Sequence, residues 1–344
     1  MSLADHLPLP PGRTLVIAEI GVNHDGSLTR ALELVDHAAA CGADAVKLQI
    51  FRAKALMHAS AAFAGYQKDR CAEADPAAML RRYELSAEDI RRVVHAIRER
   101  HLLPLATPFS LADVDAMAEL DLPAIKIASP DLVNWPLLKR AAALGRPLLV
   151  STGAATMEET ATTVAWLRAW QVPFALLHCV SSYPTPIEQA NLCWIHELSR
   201  RFAVPVGFSD HTPEEMTGAL AVAAGATIVE KHLTYDRNAA GPDHAASVDP
   251  PQFARYVSAI RLAKQLCGSP GKRVLPVEED VRRVSRQSLV LTRAVDAGQP
   301  LTETDLTTQR PGMGIPAAAL PQVIGRHPRL SLPAGTMLQW DMLA

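Results

Sequence analysis

The sequence predicts an α/β protein: a closed (β/α)8 barrel, a TIM barrel, followed by a small β-rich domain. From residue 15 onwards, short β-rich runs alternate strictly with longer helical patterns. Eight such pairs fit within about 265 residues, which suits a barrel of parallel strands joined by right-handed crossovers. No GxGxxG fingerprint follows the first strand, and this disfavours the main alternative, an open doubly wound sheet.

The eight predicted strands are short runs rich in β-branched and aliphatic residues. They are LVIAEI (15–20), AVKLQIF (45–51), LPLATPF (103–109), AIKIAS (124–129), PLLVSTG (147–153), FALLHCV (174–180), VPVGFSD (204–210) and ATIVEKHLT (226–234). Because a helical pattern separates each run from the next, we expect parallel pairing throughout.

The segments between the strands carry the helical patterns. The first helix opens at Ser27, a residue type that caps helix N-termini, and stops at Gly42. The stretch 52–85 interrupts the alternation. The other predicted helices lie at 86–101, 110–120, 135–145, 156–170, 191–202, 213–225 and near 250–266.

The chain is too long for one hydrophobic core, because single cores stop growing near roughly 250 to 300 residues. We assign residues 1–267 to the barrel domain and 268–282, rich in Gly, Pro and charge, to a linker. The remaining residues, 283–344, form short, turn-punctuated pieces that predict a small β-rich domain.

Composition argues for a soluble protein that acts on small molecules. The 34 basic and 36 acidic residues give a net charge of −2, with no basic excess for nucleic acid or an anionic membrane. Charges interrupt every apolar run before the roughly 18 residues that a membrane span needs. The N-terminus lacks the features of a secretory signal, so we expect a cytoplasmic protein. Five cysteines without CxxC spacing favour reduced thiols.

Polar residues follow the predicted strands, at the end of a barrel where active sites lie. Ser209 and His211 share a face of strand seven, and Glu230 and His232 share a face of strand eight. Because these strands are neighbours, the two imidazoles can approach closely enough to hold one divalent ion, with Mn²⁺ or Mg²⁺ as candidates. The alternative is that both histidines are ordinary structural residues.

Two predicted strands place lysines, Lys47 and Lys126, in the barrel interior, where an unpaired ammonium group is costly. One interpretation is a pair of internal salt bridges with Glu19 or Glu230. The other is an anionic ligand, for which nearby hydroxyl groups are further donors. These hydroxyls belong to Thr107, Ser129, Ser151 and Ser209. Four hydroxyls and two lysines at one barrel rim favour a phosphorylated substrate.

The motifs in this sequence resemble the sialic acid synthase family, in the same order and over nearly the whole chain. They are IAEIGVNHDG, GADAVKLQIF, TPFSLADVD, KIAS, STGAATMEE, LLHCVSSYPTP, GFSDHT, VEKHLT and GPDHAAS. The tail that contains RPGMGI is similar to the family's C-terminal antifreeze-like (SAF) domain. Residue His244 in the GPDH segment fits the sialic or legionaminic acid branch rather than the pseudaminic acid branch.

The resemblance implies a metal-dependent transferase that condenses phosphoenolpyruvate (PEP) with an open-chain N-acylated hexose. It implies that His211 and His232 bind the metal. We choose Glu19 for proton transfer, because a carboxylate at the end of the first strand can activate a water molecule; the alternative is that Glu19 is a partner for Lys47 or Lys126. The residues implied to bind PEP are Lys47, Thr107, Lys126, Ser129, Ser151, Ser181, Tyr183 and Ser209. Those implied to contact the sugar are Gln49, Glu230, Asp243 and, across a homodimer in which the SAF domain caps the partner's barrel, Arg310.

Three positions depart from the family pattern. Pro130 stands where glycine is usual, Ser181 where asparagine is common, and Ala245 where lysine is frequent. Pro130 stiffens the backbone and removes an N–H group, and Ser181 has a shorter reach than asparagine. These changes leave the predicted PEP contacts largely intact and affect the predicted sugar contacts, so the identity of the hexose stays open.

Two other functions compete with a metal-dependent synthase. A Schiff-base aldolase could use Lys47 or Lys126 as its nucleophile, since barrel lysines support that chemistry. A non-catalytic carbohydrate-binding protein could use the terminal domain on an inert barrel. The presence of Glu19, His211 and His232 together argues against the second of these.

Overall fold

The structure is a computed structural model that describes residues 12–58 and 75–344. It divides into two compact units, one that ends at Gly268 and one that spans Ser269–Ala344. Within the described residues, no helix is both long enough and apolar enough to cross a lipid bilayer.

Eight parallel strands close into a barrel in chain order, and β8 pairs with β1, as the sequence predicts. The strands are β1 (Leu15–Glu19), β2 (Ala45–Ile50), β3 (Leu103–Pro108), β4 (Ile125–Ile127), β5 (Leu148–Ser151), β6 (Phe174–Cys179), β7 (Val206–Asp210) and β8 (Ile228–His232). The predicted barrel is therefore confirmed, with each strand somewhat shorter than its apolar run.

Helices connect the strands and cover the barrel. They are α1 (Leu28–Ala40), α2 (Ala53–Leu56), α3 (Pro76–Arg82), α4 (Ala87–Glu99), α5 (Leu111–Met117), α6 (Trp135–Ala142), α7 (Met157–Ala169), α8 (Cys193–Phe202), α9 (Thr217–Ala223) and α10 (Pro250–Cys267). Ser27 caps α1 by accepting a hydrogen bond from the Arg30 amide, as predicted. The stretch 52–85 contains α2 and α3, and its residues 59–74 lie outside the described part of the chain.

The barrel interior has an apolar floor below a polar rim. Nine inward-facing residues form the floor: Leu15, Ile17, Ala45, Leu105, Ala124, Leu149, Ala175, Leu177 and Ile228. Each such Leu or Ile contributes about 1.5 to 3 kcal/mol through burial. Because side chains alternate along a strand, the next inward positions are polar, for example Glu19 after Ile17 and Lys47 after Ala45. The floor therefore closes the barrel beneath the candidate site.

The C-terminal unit has a two-stranded antiparallel sheet, β9 (Ser288–Leu291) and β10 (Leu306–Gln309). Two helices accompany it, α11 (Glu279–Ser285) and α12 (Leu320–Val323). Its own hydrophobic core consists of Leu289, Leu291, Val295, Leu301, Ile315, Ala319, Val323, Leu338 and Leu343. The stretch predicted as a linker, 268–282, includes the first residues of α11.

Candidate active site

A cavity of about 440 Å³ opens at the carboxyl ends of the barrel strands, and this volume suits a small-molecule ligand. Most residues singled out from the sequence line it. They are Lys47, Gln49, Thr107, Lys126, Ser129, Ser151, Ser181, Tyr183, Ser209, His211, Glu230, His232 and Asp243. The barrel thus brings together residues that are up to 196 positions apart (243 − 47).

Two of the singled-out residues do not line this cavity. Glu19 is fully buried at the level of its strand partners Lys47 and His232, and its carboxylate accepts a hydrogen bond from the Gly21 amide and contacts Lys47. Arg310 belongs to the C-terminal unit and is followed by Pro311. Its role toward the sugar stays a prediction.

Two lysines and two glutamates form a buried charge network at the base of the cavity. The Lys47 Nζ atom contacts Glu19 Oε2 and lies 3.7 Å from Glu230 Oε1. The Lys126 Nζ atom lies 4.0 Å from that same Glu230 oxygen. Two cations thus face two carboxylates, as the salt-bridge interpretation of these lysines requires. The network can also receive an anion if one carboxylate takes up a proton.

Burial shifts the acidity of this network unevenly. Burial raises the pKa of Glu19 above its ordinary value. The nearby Glu230 carboxylate raises this pKa further, and the Lys47 ammonium group only partly opposes the two effects. Burial also acts upward on Glu230, but the charges of Lys126 and Lys47 outweigh it and lower the pKa of that carboxyl. Glu19 is therefore the carboxyl group that takes up a proton more readily.

Hydroxyl groups surround the two lysines. Lys126 Nζ donates to Ser151 Oγ over 2.6 Å, and Lys47 Nζ donates to Thr107 Oγ1 over 3.2 Å. Ser209 Oγ donates to Glu230 Oε1 over 3.0 Å, and the Gly153 amide donates to Ser129 Oγ over 3.0 Å. Rotation of these hydroxyl and ammonium groups would let them donate to the oxygens of an anionic ligand in the cavity.

The rings of His211 and His232 lie at the cavity wall with their centroids 5.4 Å apart. The His211 Nδ1 atom is 2.9 Å from the carbonyl oxygen of Val180 and donates to it. In the neutral ring this hydrogen bond leaves the lone pair of Nε2 available as a ligand, as in many metal-binding histidines. The Tyr183 ring packs against the His211 ring, with their centroids 4.0 Å apart, and limits how that imidazole can rotate.

His232 is suited to metal binding for a different reason. Burial lowers its pKa well below the ordinary value, so the imidazole is neutral and has a lone pair. Its Nδ1 atom is buried without a hydrogen-bond partner among the described residues and lies 3.6 Å from Asp243 Oδ2. A cation held by both imidazoles fits this site. In the described chain no group of three or more His, Cys, Asp or Glu residues forms a fuller metal site.

The loop after β8 carries Asp243 to the cavity. Ser247 Oγ donates to the Asp243 carbonyl over 2.7 Å, and Asn23 Nδ2 donates to that same hydroxyl over 2.8 Å. His244, the next residue, is fully buried between Thr234 and Asp25. These contacts tie the loop to the β1–α1 connection, so the backbone at Asp243 is held in place by buried hydrogen bonds.

Comparison with known proteins places the chain in a family. The sequence model of the NeuB family matches residues 34–272, which is well over half of the chain. The chain belongs to the NeuB family. The SAF domain matches residues 286–344, so both parts of the resemblance seen in the motifs are confirmed.

Several relatives of this NeuB family member are similar over most of their length. N,N'-diacetyllegionaminic acid synthase from Legionella pneumophila is 35% identical, over 95% of this chain and 93% of the relative. A sialic acid synthetase structure from Leptospira borgpetersenii has a TM-score of 0.70 at 32% identity, covering 78% of this chain and 90% of that one. A Chromobacterium violaceum structure assigned to spore coat polysaccharide biosynthesis has a TM-score of 0.84 at 26% identity. The match covers 96% of this chain and 100% of that one.

The three departures from the family pattern lie in different places. Pro130 and Ser181 line the cavity beside the lysine and hydroxyl cluster. Ala245 instead lines a separate surface depression with Tyr235 and Arg237. Two of the three changes therefore affect the cavity of this NeuB chain directly, and the third affects its surroundings.

Sequence reasoning missed part of this cavity. Cys179 lines it, with Sγ 3.8 Å from His211 Nδ1, and strand alternation from Leu177 would have placed it there. Burial lowers the pKa of His211, but the Cys179 sulfur and the Val180 carbonyl raise it above its ordinary value. The outer wall is apolar and had no sequence signal, because it comes from loops and short helices. It consists of Val22, Leu56, Met57, Met79, Leu80 and Phe109.

Proposed function

We propose that this NeuB-family chain condenses PEP with an open-chain N-acylated hexose, giving a nine-carbon 2-keto-3-deoxy sugar acid and phosphate. The acceptor is N-acetylmannosamine or a 2,4-diacetamido-2,4,6-trideoxy hexose. Carbon C3 of PEP forms a bond to the aldehyde carbon, and water adds at C2. The resulting tetrahedral intermediate then releases phosphate. The co-occurrence of two lysines and two imidazoles in one barrel cavity is the observation that carries this proposal.

The lysines and hydroxyls hold the two anionic groups of PEP. Lys47 and Lys126 both lie within 4.0 Å of the same Glu230 oxygen. Each also donates a hydrogen bond to a hydroxyl group, Lys47 to Thr107 and Lys126 to Ser151. They orient the enol carbon toward the acceptor and offset charge that develops as the phosphate leaves. Ser129, Ser181, Tyr183 and Ser209 complete the proposed contacts.

His211 and His232 hold the proposed metal, Mn²⁺ or Mg²⁺. When bound, such an ion polarises the aldehyde oxygen of the acceptor as a Lewis acid. The Val180 carbonyl orients one imidazole, and Asp243 lies beside the other. Gln49, Glu230 and Asp243 contact the hydroxyl groups of the acceptor, which lies on the side of the cavity nearest the two imidazoles.

Glu19 moves the proton of the attacking water. Its raised pKa allows the carboxyl to take up a proton while PEP brings negative charge into the network. The hydrogen bond from the Gly21 amide keeps the carboxyl group at the base of the cavity. The proton therefore starts at the water oxygen and is held on the Glu19 carboxylate.

Phosphate release tests the proposed reaction. Purified protein is incubated with PEP and each acceptor, with Mn²⁺ or with EDTA, and glucose serves as an acceptor without an N-acyl group. We expect phosphate to appear only with an N-acylated acceptor and Mn²⁺. Binding of the sugars without phosphate release, by folded and Mn²⁺-supplied protein, would support the non-catalytic alternative.

A Schiff-base aldolase is the second candidate, because one observation favours it. Burial lowers the pKa of Lys126, with the Glu230 carboxylate only partly opposing this shift, and a neutral amine is the nucleophile in that chemistry. Borohydride treatment with pyruvate distinguishes the two. Covalent labelling of a lysine, with activity that survives EDTA, would replace the metal-dependent mechanism.

We also propose a homodimer in which the SAF domain of one subunit caps the barrel of its partner. This proposal is supported by the family resemblance, which assigns Arg310 to the N-acyl end of the acceptor. A guanidinium group suits that position because it donates hydrogen bonds to an amide carbonyl in a fixed geometry.

A further inference from the structure

A buried cluster of three polar side chains lies on the outer face of the barrel wall at β7 and β8. The two histidines face the interior of the barrel at the same place. Asp210 ends β7, Lys231 is in β8, and Tyr256 projects from α10. Strand alternation turns the side chains of Asp210 and Lys231 away from the barrel interior, while the residues that follow them, His211 and His232, line the cavity. We call Asp210, Lys231 and Tyr256 the outer cluster.

The outer cluster is closely connected by hydrogen bonds. Lys231 Nζ lies 3.1 Å from Asp210 Oδ2, and Tyr256 Oη donates to that same oxygen over 2.8 Å. The other carboxylate oxygen accepts from the Thr212 amide over 2.8 Å and from its hydroxyl over 2.7 Å. Lys231 also donates to the Thr212 carbonyl. The side chains of Asp210 and Lys231 are completely buried.

The ion pair joins two strands at the residues that precede the histidines. Asp210 and Lys231 are direct Cα partners in the β7–β8 pairing. His211 and His232 are the next residues in the chain. The contacts that fix the register of Asp210 and Lys231 therefore also fix the positions of the two imidazole rings. A slip of one of these strands by one residue would turn its imidazole out of the cavity and away from the other ring.

The helix layer is shaped to keep Tyr256 in contact with the outer cluster. Gly218 in α9 has no side chain, and a Cβ atom there would lie 2.4 Å from Tyr256 Cζ. The neighbouring residue, Thr217, shares a hydrogen bond of 2.7 Å with Thr212 through their hydroxyl groups. Helix α9 thus accommodates the ring and supports the turn that follows His211.

General stability does not account for these charged residues. Replacing a buried ion pair by apolar residues of similar volume is often neutral or stabilising, because the pair loses its hydration. A charged pair between two strands does, however, favour one register of those strands. Because the pair directly precedes the two histidines, the register of β7 and β8 also fixes the positions of the two imidazoles.

We propose that the outer cluster positions His211 and His232 and so sets the affinity of the site for its divalent cation. The positioning part follows from the strand pairing and stands without any metal. The affinity part rests on the function proposed above. Asp210, Lys231 and Tyr256 are positioning residues, because none of them lines the cavity.

Two variants of the full chain test the proposal. Lys231→Met removes the cation and keeps a side chain of similar length, while Tyr256→Phe removes one hydrogen bond and keeps the ring. Arg261→Met is the matched control. Arg261 is also in α10 and pairs with a buried aspartate, Asp44, over 2.6 Å, but Asp44 precedes β2 at the opposite end of the barrel.

Three readouts separate positioning from simple destabilisation. Histidine-selective NMR reports the rings of His211 and His232, with signals assigned by replacing each histidine in turn. Titration with Mn²⁺ alone, followed by electron paramagnetic resonance, gives the dissociation constant. Urea unfolding gives the stability of each variant.

We expect the signals of both rings to move in Lys231→Met and Tyr256→Phe but not in Arg261→Met. The Mn²⁺ dissociation constant should rise by about 10-fold or more in Lys231→Met, because displaced imidazoles bind the ion less well, as when a ligand loses the group that orients it. If Lys231→Met does not fold, Tyr256→Phe tests the proposal instead. In that variant we expect a smaller increase in the Mn²⁺ dissociation constant.

Unchanged ring signals in a folded cluster variant would overturn the proposal, as would equal shifts in Arg261→Met. If the ring signals move but wild-type protein binds no Mn²⁺, the outer cluster positions the histidines as inferred and the metal in the proposed function is wrong. The two ideas can therefore fail separately.

Discussion

Glu19 is completely buried, and the ammonium group of Lys47 contacts it directly. A carboxyl group in this position has two possible uses, as a structural partner of the lysine or as a proton acceptor. Burial raises its pKa, and this fits the second use, because a carboxylate with a higher pKa is a stronger base. The two uses differ in what the loss of the carboxylate does to turnover.

Glu19→Gln tests the proton-transfer role. The amide keeps the size of the side chain and still accepts from the Gly21 N–H group, so we expect PEP to bind. The turnover number for phosphate release should fall by about 10²- to 10⁴-fold, the usual contribution of a general base. Glu230→Gln is the matched comparison, since it removes the other carboxylate of the network and should mainly raise KM for the acceptor. A Glu19→Gln enzyme with near wild-type turnover would exclude the role.

His24 gives a second prediction at this scale, on stability rather than activity. Burial lowers the pKa of His24 to about 4, with the Asp25 carboxylate only partly opposing this shift. Between pH 6.5 and 4 the unfolded chain therefore binds a proton that the folded chain does not. Stability falls as the pH falls through this window, by about 2 kcal/mol at pH 5 for this one group.

His24→Asn is the comparison for that effect. The amide oxygen of the introduced side chain can replace Nδ1 as the acceptor for the Gly26 amide, which donates to His24 over 3.1 Å. Urea unfolding at about pH 7.5 and about pH 5 should show that wild-type protein loses about 2 kcal/mol more than the variant. Parallel losses in the two proteins would show that His24 does not titrate as inferred.

At the scale of elements, the junction of β7 and β8 carries the two proposed metal ligands. Gly207 allows the close approach of these strands, because a Cβ atom there would lie 2.6 Å from the Ile228 carbonyl oxygen. A backbone atom cannot move aside as the tip of a side chain can. The glycine in the GFSDHT motif is therefore explained by strand packing rather than by turn geometry.

Gly207→Ala should force β7 away from β8. We expect the free energy of unfolding to fall by about 1 to 3 kcal/mol, the usual cost of inserting a methyl group into a packed interior. Activity should fall as well, because Ser209 lies on the same strand and His211 directly follows it. Urea unfolding and phosphate release measure the two effects. Unchanged stability would mean that the barrel adjusts without cost at this junction.

At the scale of the whole molecule, Arg310 and the barrel cavity belong to separate compact units. If Arg310 acts on the partner's site, as proposed, two inactive variants should restore each other. Arg310→Ala keeps an intact barrel, and Lys126→Met keeps an intact SAF domain. A mixed dimer then contains one complete site.

Subunit exchange between these two variants tests the assembly. Half of the dimers become mixed, and each mixed dimer has one complete site of two, so about a quarter of wild-type activity should return. Unmixed parents are the control. Activity that stays at the level of the parents would exclude action across subunits, whatever the oligomeric state.

Much of the candidate site was predictable because strand geometry is regular. Once eight parallel strands are assigned, the inward-facing residues near their carboxyl ends face the same cavity, which is how Lys47, Lys126, His211 and His232 were placed together. The apolar outer wall was not predictable, since Met79 and Phe109 reach the cavity from a short helix and a loop. Such segments have no fixed period from which a direction can be inferred.

Sequence alone determined the barrel, the SAF domain and the family, because the alternation of elements and the order of motifs are properties of the chain itself. Only the tertiary structure decided that Glu19 is buried without lining the cavity, that Cys179 touches His211, and that Lys231 pairs with Asp210 behind the wall. The reason is physical. A strand's period says which face a side chain takes, but its partners come from other strands and helices, whose distances only the packed barrel sets.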